Sequence, residues 1–223
     1  MVLIAPSLLA ADLARLGEAL HLIKEAGASM VHVDVMDGHF VPDISVGQPV
    51  IKSLRKASDL VFDLHLLIER PERYIPEFVE MGADRLAVHA EATPNLHKAL
   101  GVIRAGGAKA GVALNPSTAV ESVSDALEEV DYLLLLSADL GFASSPFLPR
   151  TLAKVETAGA LRRTRRLDFA IQVEGSIGQE QIEPLGQAGA DILVVGSDIF
   201  QKDPKARLAE MMRRATLCQV FRA

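Results

Sequence analysis

Apolar residues in this chain gather into short unbroken runs about 25–30 residues apart, each followed by a stretch with apolar positions at helical spacing. The runs are Val2–Ser7, Met30–Val35, Leu60–His65, Arg85–His89, Lys109–Leu114, Asp131–Leu136, Phe169–Val173 and Asp191–Val195, and they predict eight strands. The stretches near residues 11–26, 48–57, 72–81, 94–105, 119–128, 148–164, 178–188 and 204–217 predict helices. Local punctuation agrees. Gly27, Gly82 and Gly189 stand just past helix ends, while Pro71, Pro94, Pro149 and Pro204 stand near helix starts. The strand runs are continuously apolar, as a parallel sheet buried on both faces requires.

Eight βα units in a chain of 223 residues leave about 28 residues per unit, which matches a near-minimal barrel. Closure also removes exposed sheet edges. The prediction is therefore an α/β protein, a single (β/α)₈ TIM barrel occupying 1–223 as one catalytic domain. The rival is an open doubly wound sheet, which places a glycine-rich fingerprint after its first strand when it binds dinucleotides; here Ala5-Pro6-Ser7-Leu8 stands instead.

Composition narrows the class. With 49% hydrophobic and 23% charged residues the chain is not intrinsically disordered. The 23 Lys and Arg against 29 Asp and Glu give a net charge of −6, which argues against a nucleic-acid partner or a membrane-surface patch. The densest basic run, Arg162-Arg163-Thr164-Arg165-Arg166, reads as a solvated helix face. A lone cysteine, Cys218, excludes an intrachain disulfide, fits a reducing compartment and reads as an inert thiol. There is no unbroken apolar stretch of membrane-spanning length, and Met1–Ser7 lacks the charged region of a signal peptide. A soluble, cytoplasmic protein is expected.

Barrel active sites lie at the C-terminal ends of the strands, and reactive side chains collect there. Strand 1 ends in Ser7, strand 2 carries His32 and Asp34 with Asp37 beyond, and strands 3 and 4 carry His65 and His89. Asn115, Ser137, Asp139, Glu174 and Gly196-Ser197 follow the later strands. His32 and Asp34 are two apart and share a strand face. A buried imidazole and carboxylate need an opposite charge or a metal. His65 and Glu174 would complete a set of two histidines and two carboxylates, suited to Zn²⁺, Fe²⁺, Mn²⁺ or Co²⁺ with open positions for substrate. Taken singly, His32 and His65 read better as hydrogen-bonded core residues than as ligands; it is the four convergent groups together that point to a metal. Asp34 and Glu174 are also a natural acid/base pair for proton abstraction next to a ketone, where a metal steadies the enediolate. Asp37 and Asp139 read more simply as loop caps.

Small residues after strands 7 and 8 suggest phosphate recognition by backbone N–H groups: Gly175-Ser176-Ile177-Gly178 and Val195-Gly196-Ser197. Gly141-Phe142-Ala143-Ser144-Ser145, after strand 6, would add a third wall, whereas Asp198 disfavours an anion unless it points away.

Three segments carry a family resemblance: Ala5-Pro6-Ser7-Leu8-Leu9-Ala10-Ala11-Asp12, His32-Val33-Asp34-Val35-Met36-Asp37-Gly38-His39-Phe40-Val41-Pro42, and His65-Leu66 with Pro71-Glu72-Arg73-Tyr74-Ile75. In these the chain resembles the ribulose-phosphate 3-epimerases along nearly its whole length. The resemblance implies a TIM barrel, a divalent metal (zinc or iron first), and epimerisation at C3 of a ketose phosphate. It assigns His32, Asp34, His65 and Glu174 as metal ligands, with Asp34 and Glu174 as base and acid. It places Ser7, Met36 and His65 against the substrate, and Gly141, Phe142, Ala143, Ser144, Gly175, Ser176, Gly196 and Ser197 around the phosphate. A homo-oligomer is implied by the same analogy.

The chain also departs from the family pattern. Val173-Glu174-Gly175 stands where the family has Val-Asp-Gly, and one extra methylene moves a carboxylate by roughly an ångström, enough to cost about 10²-fold in rate. Asp139-Leu140-Gly141-Phe142-Ala143-Ser144-Ser145 replaces a more glycine-rich loop, and Leu67 and Leu136 stand where methionines are usual. The spacing across 141–149 is similar to the allulose-6-phosphate branch. Two alternatives follow: a degenerate member that binds a sugar phosphate with little turnover, and a phosphate-binding decarboxylase or aldolase. The latter usually needs a lysine at the strand mouth, and no strand end offers one.

Overall fold

The computed structural model describes residues 2–139 and 145–218. Eight strands alternate with helices: β1 Leu3–Pro6, β2 Met30–Met36, β3 Val61–Leu67, β4 Arg85–His89, β5 Lys109–Leu114, β6 Tyr132–Leu136, β7 Ala170–Glu174 and β8 Ile192–Val195. The helices are α1 Leu16–Glu25, α2 Gln48–Ala57, α3 Ile75–Glu80, α4 Leu96–Ala105, α5 Thr151–Arg165, α6 Gln179–Ala188 and α7 Pro204–Leu217. All ladders are parallel and run β1-β8-β7-β6-β5-β4-β3-β2. A bridge between Ser7 and His32 brings the two ends together. The predicted single (β/α)₈ TIM barrel is the observed architecture.

One expected helix is absent. Residues 119–128 form two 3-10 turns, Val120–Val123 and Ala126–Glu128. Ser122 Oγ donates to Ala119 O at 2.6 Å, a local bond that competes with the helical ladder. Val120, Val123 and Leu127 are still buried, so the apolar spacing was read correctly while the backbone chose a tighter turn.

Outward-facing strand residues such as Val31, Val33, Leu64, Leu66 and Val112 join Leu20, Ile51, Leu100, Val155 and Ile182 of the helices in one core. The interior is filled separately. Ala5, Met30, Ile192 and Val194 form one apolar group, and Ala87, Ala113, Tyr132 and Leu134 another. Tyr132 fits because residue 111 is glycine: a Cβ there would stand 2.3 Å from Tyr132 Cζ. The Arg85 guanidinium lies over the Tyr132 ring, 3.9 Å from its centroid.

The basic run is only half a solvated face. Arg163 and Arg166 are exposed, but Arg162 donates to Phe169 O at 2.8 Å and to Asp191 Oδ2 at 2.6 Å. Arg165 reaches Ser124 O and pairs with Glu128. These two side chains fasten the end of α5 to neighbouring loops. Cys218 is buried against Gly186, where a Cβ would stand 2.9 Å from the cysteine Cβ. Among the described residues, no helix is long and apolar enough to cross a membrane.

Candidate metal centre and substrate pocket

Strand alternation sends Val31, Val33 and Val35 outward and His32 and Asp34 into the barrel. Parallel register then sets Asp34 opposite His65 and His32 opposite Asp63. Glu174 ends β7 opposite Leu136 of β6, and Ser137 pins its backbone, with Ser137 Oγ 2.8 Å from Glu174 O. The result is a convergence of four buried groups. Asp34 Oδ1 lies 3.2 Å from both His32 Nε2 and His65 Nδ1. Glu174 Oε2 lies 3.2 Å from His32 Nε2 and 2.9 Å from His65 Nδ1. One ligand atom from each of His32, Asp34, His65 and Glu174 falls within a mutual 4.8 Å.

Glu174 Oε2 is buried yet makes no directed hydrogen bond. Two carboxylates and two imidazoles facing one point, with Glu174 Oε2 against both rings but in no directed hydrogen bond, form a donor set that could hold a divalent cation. The titration behaviour of the metal-free cluster agrees. Burial pushes His32 and His65 down, but Glu174 and Asp34 outweigh it, leaving His32 well above its usual value and His65 at about 9. Burial pushes Asp34 up, and His32 and His65 more than reverse it, holding the carboxyl well below its usual range. The site attracts positive charge, by protons when nothing else is bound.

Behind the cluster lies a second polar group that the sequence reading missed. Asp63 Oδ2 stands 2.7 Å from His32 Nδ1 and accepts from Gln172 Nε2 at 2.6 Å. Arg85 Nε donates to Asp63 Oδ1 at 3.0 Å, and Arg85 also reaches Gln172 Oε1 at 2.8 Å. All three are buried in the barrel interior. Asp63 would rise on burial alone; His32 and Arg85 hold it well below its ordinary value. A signal was present: Asp63 precedes His65 by two and Gln172 precedes Glu174 by two, so each shares the inward face of its strand.

The other expected site residues distribute as follows. Ser7 Oγ donates to Asp34 Oδ2 at 2.9 Å. Met36 packs with Val41, Leu67 and Phe40 on the β2 side of the mouth. Asp37 caps its loop, accepting from His39, Phe40 and Glu69 N–H groups. His89 sits behind His65, outside the ligand cluster, with the two Nε2 atoms 2.9 Å apart. Residues Gly141, Phe142, Ala143 and Ser144 lie outside the described residues.

A cavity of about 220 Å³ opens between the cluster and the rim of β7 and β8, lined by Ser7, Asp34, Glu174, Gly175, Ser176, Gly196 and Ser197 among others. The rim is shaped by backbone. Gly175 has φ +113°, and a Cβ there would stand 2.7 Å from Ala138 N. Ser176 follows at φ 50°, a second positive-φ residue in succession on the lining of the cavity. Asp198 does not oppose an anion. Its Oδ2 accepts from Gln179 N–H at 2.9 Å and its Oδ1 faces Arg207 Nε at 3.1 Å.

The fold and this cluster define a class: a (β/α)₈ barrel whose mouth sets a buried cluster that could hold a divalent metal beside a pocket rimmed by small residues. Comparison with known proteins makes the assignment narrower. Residues 3–200 match the model of the Ribulose-phosphate 3 epimerase family. The chain is 40% identical to a ribulose-phosphate 3-epimerase of Bacillus subtilis (strain 168), covering 95% of this chain and 98% of that protein. It is 42% identical to the Mycobacterium leprae (strain TN) ribulose-phosphate 3-epimerase, covering 96% and 95%. The chain belongs to the ribulose-phosphate 3-epimerase family and is an isomerase. Among solved structures, KGPDC from Streptococcus mutans superposes with a TM-score of 0.73 at 12% identity, covering 98% of this chain and 99% of that one. Tryptophan synthase subunit alpha from Legionella pneumophila superposes at 0.62 with 16% identity, covering 99% and 93%. These two share the fold alone.

Proposed function

We propose that the chain epimerises a ketose phosphate at C3, with ribulose 5-phosphate and xylulose 5-phosphate as the first pair and allulose 6-phosphate and fructose 6-phosphate as the second. The observation that carries this is the placement of Asp34 and Glu174, two buried carboxylates on different strands that line one pocket. In this reading Asp34 removes the C3 proton from one face of the substrate and Glu174 supplies a proton to the other, the roles exchanging with direction. His32, Asp34, His65 and Glu174 would hold zinc or iron, with manganese or cobalt as substitutes. Such a metal supplies Lewis-acid polarisation of the ketone and enediolate oxygens. Ser7 holds Asp34 and meets the substrate. Ser176 and Ser197 N–H groups, with Gly175 and Gly196 giving close approach, bind the phosphate together with Gly141, Phe142, Ala143 and Ser144. Backbone donors suit a protein whose net charge of −6 does not itself attract an anion. Residues 1–223 act as one catalytic domain, in the cytoplasm and as a homo-oligomer.

The degenerate-member reading rests on Glu174 and on the altered 139–145 loop, of which 140–144 lie outside the described residues. The Glu174 carboxylate oxygen lies within 3.2 Å of both histidines, so the longer side chain still meets the cluster, which favours turnover. The deciding experiment is solvent deuterium exchange at C3 across a panel of pentulose and hexulose phosphates, with metal content measured on the same sample. Exchange with the pentulose pair and near-stoichiometric metal is expected. Bound metal without exchange on any member of the panel would overturn the proposal.

A further inference from the structure

His89 is the one strand histidine that the ligand cluster leaves over. It is fully buried, its ring plane 29° from that of His65 with centroids 5.0 Å apart, and the Phe40 ring lies 4.7 Å away. Its Nε2 lies 2.9 Å from His65 Nε2, and its Nδ1 lies 3.0 Å from Glu91 Oε2. Glu91 is fixed in turn, since its Oε1 accepts from Asn115 N–H at 2.8 Å and from the Thr118 hydroxyl.

We propose that Glu91 and His89 form a positioning relay that fixes the proton of His65 on Nε2 and so leaves Nδ1 as the metal-ligating atom. The inference rests on the metal reading of the cluster given above. Its logic is hydrogen-bond arithmetic. A carboxylate only accepts, so His89 Nδ1 carries a proton toward Glu91. The contact between two Nε2 atoms holds one proton, because two bare lone pairs or two N–H groups repel. If that proton belonged to His89, the ring would be a buried cation one imidazole away from a bound dication. If it belongs to His65, His89 is neutral and His65 Nδ1 presents a bare lone pair to Asp34 and Glu174. The second arrangement is the one compatible with metal. His32 is set in the opposite sense: Asp63 takes its Nδ1, which leaves Nε2 for the metal. The two histidines thus ligate through different nitrogens, each chosen by what lies behind the ring.

Glu91→Gln reverses the relay with almost no change of shape. The Asn115 N–H and Thr118 hydroxyl keep the amide oxygen on their side, so the amide NH₂ faces His89 Nδ1. His89 must then accept there and donate from Nε2, which forces the His65 proton onto Nδ1. Zinc affinity should fall about 10- to 100-fold, while the far-UV circular dichroism spectrum of the zinc-loaded variant stays that of wild type. A second measurement needs no variant: long-range proton–nitrogen NMR of the zinc-loaded protein with isotopically labelled histidine should show His65 protonated on Nε2 and His89 on Nδ1. Wild-type protein that binds zinc with His65 or His89 in the other tautomer overturns the relay alone. So does Glu91→Gln binding zinc as tightly as wild type. Wild-type protein that takes up no divalent metal overturns the metal reading and the relay together, so the two failures are distinguishable.

Discussion

Ser7 Oγ, at the end of β1, donates a 2.9 Å hydrogen bond to Asp34 Oδ2, while the other oxygen of Asp34 faces His32 and His65. The carboxylate is therefore divided, one oxygen toward the two imidazoles and one held by a hydroxyl on the lining of the cavity. Ser7 follows β1 where that strand meets β2 through the Ser7–His32 bridge, so the closure of the barrel is what brings it beside Asp34.

Ser7→Ala removes a donor to a charged acceptor, an interaction worth about 1.5–3 kcal/mol. The value of kcat/KM should fall roughly 10- to 100-fold. The donor stabilises the ionised form of Asp34, so its loss raises the carboxyl pKa. The acidic limb of the pH–rate profile should move to higher pH, and Ser7→Thr should recover part of the loss. An unmoved limb would show that Ser7 acts on the substrate alone.

Glu174→Asp tests whether the longer carboxylate belongs here. Shortening the chain withdraws an oxygen that lies 2.9 Å from His65 Nδ1, and a shift of about an ångström costs on the order of 10²-fold. Steady-state turnover should drop and metal content should fall. A rise in activity would instead mean that Glu174 had weakened an ancestral site.

Metal removal should make stability depend on pH. In the metal-free cluster burial lowers the His65 pKa, but Glu174 and Asp34 raise it from 6.5 to about 9. A folded pKa above the unfolded one stabilises the fold fully below pH 6.5, and that contribution is lost as pH rises through about 9. Melting temperatures of EDTA-stripped protein should fall across that window, with much less change once zinc is restored. Zinc affinity should tighten over the same range, because binding must displace the protons. Calorimetry in buffers of different ionisation enthalpy would detect their release.

Arg85→Met leaves Asp63 as a buried carboxylate without its cation, since Arg85 Nε bonds Asp63 Oδ1 at 3.0 Å in a barrel interior closed to solvent. Removing one partner of such a pair costs about 3–5 kcal/mol. Urea denaturation should report a loss in that range. A change under about 1 kcal/mol would place the compensation for Asp63 elsewhere, on Gln172 and His32.

Much of this molecule follows from local rules. Continuous apolar runs at a regular interval specify parallel strands buried on both faces, and eight of them in 223 residues leave closure as the simplest arrangement. The i, i+2 spacing of His32 and Asp34 places both on the inward face, and glycine after β7 and β8 marks a rim made of backbone. The segment 119–128 shows where local reading stops. Its apolar spacing fits α-helix and 3-10 turn alike, and the Ser122 hydroxyl, bonded to Ala119 O, competes with the α-helical ladder there.

The sequence by itself determined the barrel, its strand limits to within a few residues, and the four residues of the cluster. Only the tertiary structure decided what stands behind each ligand: Asp63 behind His32, His89 and Glu91 behind His65, Ser7 beside Asp34. It also showed that Arg162 and Arg165 tie loops together instead of facing solvent. The physical reason is range. The period of a strand is a property of neighbouring residues, whereas Gln172 and His32 are separated by 140 positions and meet only through the register of a closed sheet. Which nitrogen of an imidazole carries its proton is settled by such partners, and no local pattern records them.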